Sequence, residues 1–156
     1  MEIERKFLPL NSDFVQQATH CKKIKQAYLS TSQFNTVRVR IIDQEAVITI
    51  KGASLDGGLS RPEWEYSIPK EDAVQMMHYA RPGVIEKVRY YVPYEGFMWE
   101  VDVFEGALEG LLLAEVELEQ VTDNPPLPAW IGREVTGDKR YHNGYLSQNM
   151  QLPPLQ

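Results

Sequence analysis

The chain has 156 residues, 43% hydrophobic and 24% charged, which suits one globular domain with a buried core. Lys and Arg number 16 against 22 Asp and Glu, for a net charge of −6. An acidic chain without a basic block is unsuited to gripping duplex nucleic acid, although a local basic cluster can still hold a small polyanion.

Read as a strand, residues 1–8 send Glu2, Glu4 and Lys6 to one face and Ile3, Arg5 and Phe7 to the other. Asn11, Ser12 and Asp13 can cap a short helix carrying Phe14, Val15 and Ala18. Residues 23–30 give a second expected strand. Residues 36–42 alternate cleanly, with Arg38 and Arg40 opposite Val37, Val39 and Ile41. Residues 46–51 repeat this with Thr49 and Lys51 opposite Ile48 and Ile50, and Asp43-Gln44 between the two runs marks a hairpin. The Gly-rich residues 52–60 read as a hairpin connection. They lack the Gly-Lys-Ser/Thr ending and following helix of a phosphate-binding P-loop.

Residues 61–69 place Glu63 and Glu65 opposite Trp64, Tyr66 and Ile68. A helix is expected over 70–79, burying Ala73, Val74, Met76 and Met77 and ended by Pro82-Gly83. Three more strands follow, over 85–92, 97–104 and 111–119. They set Lys87 and Arg89 against Val88, Tyr90 and Val92, then Glu100 and Asp102 against Trp99, Val101 and Val103. The last sets Glu115, Glu117 and Glu119 against Ala114, Val116 and Leu118. The Pro-rich residues 123–128 break the pattern, and a C-terminal helix is expected from Asp138 to about Met150. The expected organisation is one domain over 1–150 and a tail over 151–156.

Cys21 is the only cysteine, which excludes an internal disulfide, and no apolar run is long enough to span a bilayer. The charged motif begins at once where a signal peptide would lie, so no membrane association and a cytoplasmic location are expected. His20, His78 and His142 lack ligand spacing and read as surface or helix residues.

Two architectures account for the recurring charged face. One is an open antiparallel sheet with its charges in water; the other is a closed barrel with the charges inside and helices outside. Doubled carboxylates such as Glu115, Glu117 and Glu119 repel one another unless a cation lies among them. The residues alone leave both architectures open. An inward face could not be dry, because unpaired buried ions cost several kcal/mol. A face of both signs suits a polyphosphate chelated to a divalent metal: Arg and Lys on phosphate oxygens, carboxylates on a hard cation such as Mg²⁺ or Mn²⁺.

The opening Glu2-x-Glu4-x-Lys6 resembles the ExExK signature of the CYTH, or triphosphate tunnel metalloenzyme, superfamily. The resemblance continues through Gln26-Ala-Tyr28-Leu29, Arg38-x-Arg40, Thr49-x-Lys51, Glu63-x-Glu65 and Glu86-Lys-x-Arg89. It ends with Glu100-x-Asp102, Glu115-x-Glu117-x-Glu119 and Asp138-Lys-Arg-Tyr141, and the compact length is similar to short bacterial members. It implies an α+β fold: an antiparallel closed β-barrel of about eight strands, helices packed outside and a C-terminal plug helix. Trp64, Trp99 and Trp130 then cover the outside.

By the same resemblance Glu2, Glu4, Glu115 and Glu117 are metal ligands, and Asp102 is the carboxylate for a second metal that polarises the attacking water. Lys6, Arg38, Arg40, Lys51, Lys87 and Arg89 bind phosphate oxygens, with Lys139 and its neighbour Arg140 reaching in from the plug helix. Asp102, Glu117, Lys87 and Arg89 carry the catalytic role. Glu63, Glu65, Glu100 and Glu119 orient the cations, and Tyr28 matches a family tyrosine that can equally serve packing.

The activity implied is metal-dependent hydrolysis of a linear triphosphate, foremost inorganic tripolyphosphate, to pyrophosphate and phosphate. The alternatives are a class IV adenylyl cyclase, a nucleoside or thiamine triphosphatase, and a non-catalytic polyphosphate sensor. The expected partner is a small polyphosphate, and the outward aromatic surface suits a homodimer.

Overall fold

Alternation with period two becomes nine strands: β1 (Ile3–Pro9), β2 (His20–Thr31), β3 (Asn35–Ile42), β4 (Glu45–Gly52), β5 (Glu63–Ile68), β6 (Ile85–Tyr94), β7 (Phe97–Glu105), β8 (Leu112–Leu118) and β9 (Ile131–Glu134). The helices are α1 (Phe14–Gln17), α2 (Lys70–Met77) and α3 (Asn143–Asn149), with 3-10 turns at Gly106–Leu108 and Lys139–Tyr141. The computed structural model describes residues 3–53, 62–81 and 83–153. In these the strands pair antiparallel in one sheet, in the order β5-β4-β3-β2-β6-β7-β8-β1-β9. Among the described residues no rung joins the two edges, β5 and β9. Residues of β1 and of β5 nevertheless line one cavity, so the sheet is rolled around its charged face. The expected charged interior is therefore present, in a sheet of nine strands where about eight were expected.

The outer face is apolar and largely covered, except on β5, where Trp64 and Tyr66 are 49% and 59% exposed. Ala27, Val39, Ile41 and Ala46 pack on Ala73, Met77 and Ala80, in and after α2. Val74, expected to be buried, is 46% exposed. Across β1, β6, β7 and β8 the cover is Phe14 of α1 and Trp130. Trp99 and Trp130 are buried and meet edge to face at 6.0 Å. Removing each such ring from water is worth roughly 3 kcal/mol.

The inward positions of four neighbouring strands run from charge to carbon. They read Arg89, Lys87, Ile85 on β6; Glu100, Asp102, Phe104 on β7; Glu117, Glu115, Leu113 on β8; and Glu4, Lys6, Leu8 on β1. Ile85, Phe104 and Leu113 pack with Val135, Tyr141 and Leu146 of the C-terminal segment, with Leu8 against them. One end of the rolled sheet is thus filled by side chains, and α3 is the plug.

Two elements differ from expectation. The ninth strand, β9, pairs with β1 across a register shift, and Arg5 Nε and Nη2 donate to Glu134 at 2.9 Å each. A Cβ on Gly132 would lie 2.7 Å from the Leu8 carbonyl oxygen, so this close approach needs glycine. The C-terminal helix begins at Asn143, not Asp138: the Asp138 carboxylate accepts from Arg140 N–H to close the 3-10 turn, and His142 is extended, with ψ 142. Of the Gly-rich stretch, residues 54–60 lie outside the described residues. No helix among the described residues is long and apolar enough to cross a membrane.

Candidate active site

The inner face encloses a cavity of about 890 Å³ that receives side chains from β1 to β8 and from the C-terminal segment. Its charges are largely sorted by wall. Arg38 and Arg40 on β3 and Lys51 on β4 make a cationic side, with Glu63 of β5 across the ladder from Lys51; Glu4 on β1, Glu100 on β7, and Glu115 and Glu117 on β8 make an acidic one. Strand pairing sets Glu4 opposite Glu117, Lys6 opposite Glu115 and Glu100 opposite Glu115. Lys139 enters from the 3-10 turn, and Tyr28 and Glu63 complete the sequence-expected lining.

Among the described residues, no three His, Cys, Asp or Glu side chains are gathered into a ready-made metal cluster; Glu2 lies outside them. The cavity's carboxylates are nevertheless hard oxygen donors, spread along the neighbouring strands β7, β8 and β1. That suits a cation that keeps waters and takes substrate oxygens to complete its shell, as Mg²⁺ does.

Beneath this lining lies a buried ion cluster. Lys87 Nζ is 2.8 Å from Asp102 Oδ2. Arg89 Nε and Nη2 donate to Asp102 Oδ1 and Oδ2 at 2.7 and 2.9 Å, and Arg89 Nη1 reaches Glu100 at 2.9 Å. Burial alone would raise the Asp102 carboxyl, but Lys87 and the Arg89 bonds outweigh it and hold it well below the usual range. Burial pushes the Lys87 ammonium down to about 8; Arg89 and Arg40 add to this and Asp102 opposes it. For Arg89, burial is outweighed by the Asp102 bonds, which raise it.

The cluster bears on two expectations. Asp102 was expected to hold a second metal; in the structure both of its oxygens are engaged by Lys87 and Arg89. Lys87, expected on phosphate, is fully buried and does not reach the cavity surface, whereas Arg89 does.

The cationic wall is held differently. Arg40 Nε and Nη2 both donate to Gln26 Oε1, at 2.9 and 2.7 Å. Burial lowers Arg40 to about 10, with Arg38 and Arg89 adding to the effect. Among the described residues no carboxylate lies within ion-pair distance of Arg38, Arg40 or Lys51. Gln26 Nε2, Arg38 Nε and Thr49 Oγ1 are buried on this wall without a hydrogen-bond partner.

The remaining expected residues are placed as follows. Lys6 pairs with Glu115 at 3.6 Å and lines a side cavity of about 230 Å³ with Glu4, Thr136, Gly137 and His142. Arg140 turns to Asp138, at 2.6 Å, and is absent from the cavity lining, as are Glu65 and Glu119. His142, read from sequence as a surface or helix residue, lines both cavities at the joint between the 3-10 turn and α3. Burial first, then Lys6, lowers its pKa. Nothing in its sequence spacing marks it; only the fold carries it there.

The CYTH domain family model matches residues 1–145. An inorganic triphosphatase of Acetivibrio thermocellus is 42% identical over 149 residues, covering 95% of this chain and 94% of that protein. One of Nitrosomonas europaea is 37% identical over 152 residues, covering 94% and 96%. A crystal structure of an inorganic triphosphatase superposes with a TM-score of 0.75 at 31% identity, over 99% of this chain and 97% of that one. A Hippeastrum protein described as a putative adenylyl cyclase with a dominant triphosphatase activity shares the fold alone, at 18% identity and a TM-score of 0.55 over 77% of this chain and 80% of that one. With its charged inner face, its rolled antiparallel sheet and a match over residues 1–145, this chain belongs to the CYTH domain family.

Proposed function

We propose that this chain is an inorganic triphosphatase that uses Mg²⁺ or Mn²⁺ to hydrolyse linear tripolyphosphate to pyrophosphate and phosphate. The observation that carries this reading is the sorting of charge within one cavity. A wall of Arg38, Arg40 and Lys51, with no carboxylate in ion-pair distance among the described residues, faces the carboxylates Glu4, Glu115 and Glu117.

Arg38, Arg40, Lys51 and Lys139 bind the phosphoryl oxygens, and Lys6 neutralises Glu115 beside them. Arg89 presents its guanidinium to the cavity, where charge develops on the transferring group. Lys87 and Asp102 act from below by fixing Arg89. Glu4, Glu115 and Glu117, with Glu2 of the same sequence motif, would hold the metal. The metal, when bound, supplies Lewis-acid polarisation of phosphoryl oxygens. Alignment and charge stabilisation suffice for phosphoryl transfer to water, and no covalent nucleophile is required.

The test is phosphate release from tripolyphosphate, ATP, thiamine triphosphate and pyrophosphate, each with Mg²⁺, with Mn²⁺ and with chelator. Chelator-sensitive release that favours tripolyphosphate is expected. Tight binding of tripolyphosphate without release from any of the four would instead identify a sensor or a cyclase, and cyclic AMP formation from ATP would separate those.

A further inference from the structure

We propose that Gln26 is a positioning residue that seats Arg40 without neutralising it, leaving a full positive charge on the cavity wall for the substrate. The inference rests on the reading of the cavity as a triphosphate site.

Three other arginines show the alternative. Arg5 docks on Glu134, Arg89 on Asp102 and Arg140 on Asp138, each through side-chain nitrogens on a carboxylate. Each of those guanidinium charges is matched where it sits. Arg40 is also held by two nitrogens, but both converge on the single amide oxygen of Gln26.

The amide is directly across the β2–β3 ladder from Arg40 and only 1% exposed. Its orientation is dictated: turned over, its NH₂ would face the guanidinium donors. Held this way, its Nε2 is left buried without a partner. A glutamate of the same length would leave no such orphan donor and would form a charge-assisted pair. It would also cancel one of the three charges of Arg38, Arg40 and Lys51. Gln26 therefore gives geometry without compensation, and in a partly buried wall an uncompensated charge is felt strongly by an incoming anion.

The experiment is calorimetric titration of tripolyphosphate into the full chain and its variants across a range of salt, with kcat and KM measured alongside. Gln26→Glu is expected to bind at least about tenfold more weakly, with a shallower salt dependence. Its loss should fall on KM, and its melting temperature should not drop. Gln26→Met removes the acceptor without adding charge, and is expected to keep the wild-type salt dependence.

Binding by Gln26→Glu within about twofold of wild type overturns the inference. So does a shallower salt dependence in the neutral Gln26→Met, whether or not Gln26→Glu folds. Wild-type protein that binds no tripolyphosphate overturns the functional reading itself, an outcome distinct from equal binding by wild type and variant.

Discussion

Lys87 Nζ lies 2.8 Å from Asp102 Oδ2, and the lysine has no solvent-exposed surface. Because Asp102 is also gripped by Arg89, one buried carboxylate serves two cations, and their removal is not symmetric. Asp102→Asn removes the carboxylate that Lys87 and Arg89 share, and is expected to destabilise the fold by about 3–5 kcal/mol. Lys87→Met leaves Asp102 and Arg89 as a matched pair and should cost much less. Denaturant unfolding of both variants decides this, and a larger loss in Lys87→Met would refute the cluster as described.

The same lysine gives stability a pH dependence. Its folded value is near 8 against 10.5 for a free lysine, so between them the unfolded chain holds a proton that the folded chain has released. Stability should therefore rise with pH across that window, by up to about 1 kcal/mol per unit. Asp102 works on the acid side: its contribution is present above 3.8 and lost as pH falls towards its depressed folded value. Unfolding followed from pH 7 to 11 should show the alkaline rise in wild type and not in Lys87→Met; an equal rise in both would assign it elsewhere.

Glu4 and Glu117 face each other on paired strands at the acidic wall. Substitution of either by Gln should lower metal-dependent turnover on the order of 100-fold and weaken Mn²⁺ binding, with the melting temperature held. Unchanged turnover in Glu4→Gln would remove it from the metal site.

Lys139 enters the cavity while its neighbour Arg140 is turned to Asp138. Lys139→Ala should raise KM for tripolyphosphate about tenfold, whereas Arg140→Ala should leave it near wild type. If Lys139→Ala changes only thermal stability, the residue is structural.

Leu146 of α3 is fully buried in the apolar end of the rolled sheet. Leu146→Ala should cost about 2–5 kcal/mol and also weaken substrate binding, because Lys139 and His142 hang from the segment it anchors. A stability loss with unaltered KM would uncouple plug from site.

Much of this was legible in advance because strict alternation leaves a strong trace. Arg38-x-Arg40 and Glu100-x-Asp102 could lie on one face only if their segments were strands. β9 left no such trace: Ile131–Glu134 is four residues long and begins beside a proline-rich run. Asp102, like Arg140, belongs by residue type to a charged site, but its direction depends on which neighbour satisfies it, and that is settled across strands. Ile85, Phe104 and Leu113 share the parity of the charged positions, yet at strand ends they gave no sign that the inner face changes character along its length. Gln26 stood in a recognisable motif; its meaning required seeing what its oxygen holds.

That change of character governs traffic. A rolled sheet stopped at one end by Phe104, Leu113 and Leu146 is a vessel and not a conduit. What enters opposite that apolar end has to leave the way it came. A reaction that turns one anion into two therefore has its products queue at a shared doorway. The smaller fragment can depart early, while the larger one stays bound to the arginine wall until it too is let go. Turnover in such a vessel is paced by emptying as much as by bond cleavage, and added pyrophosphate should compete with the incoming substrate for the same space.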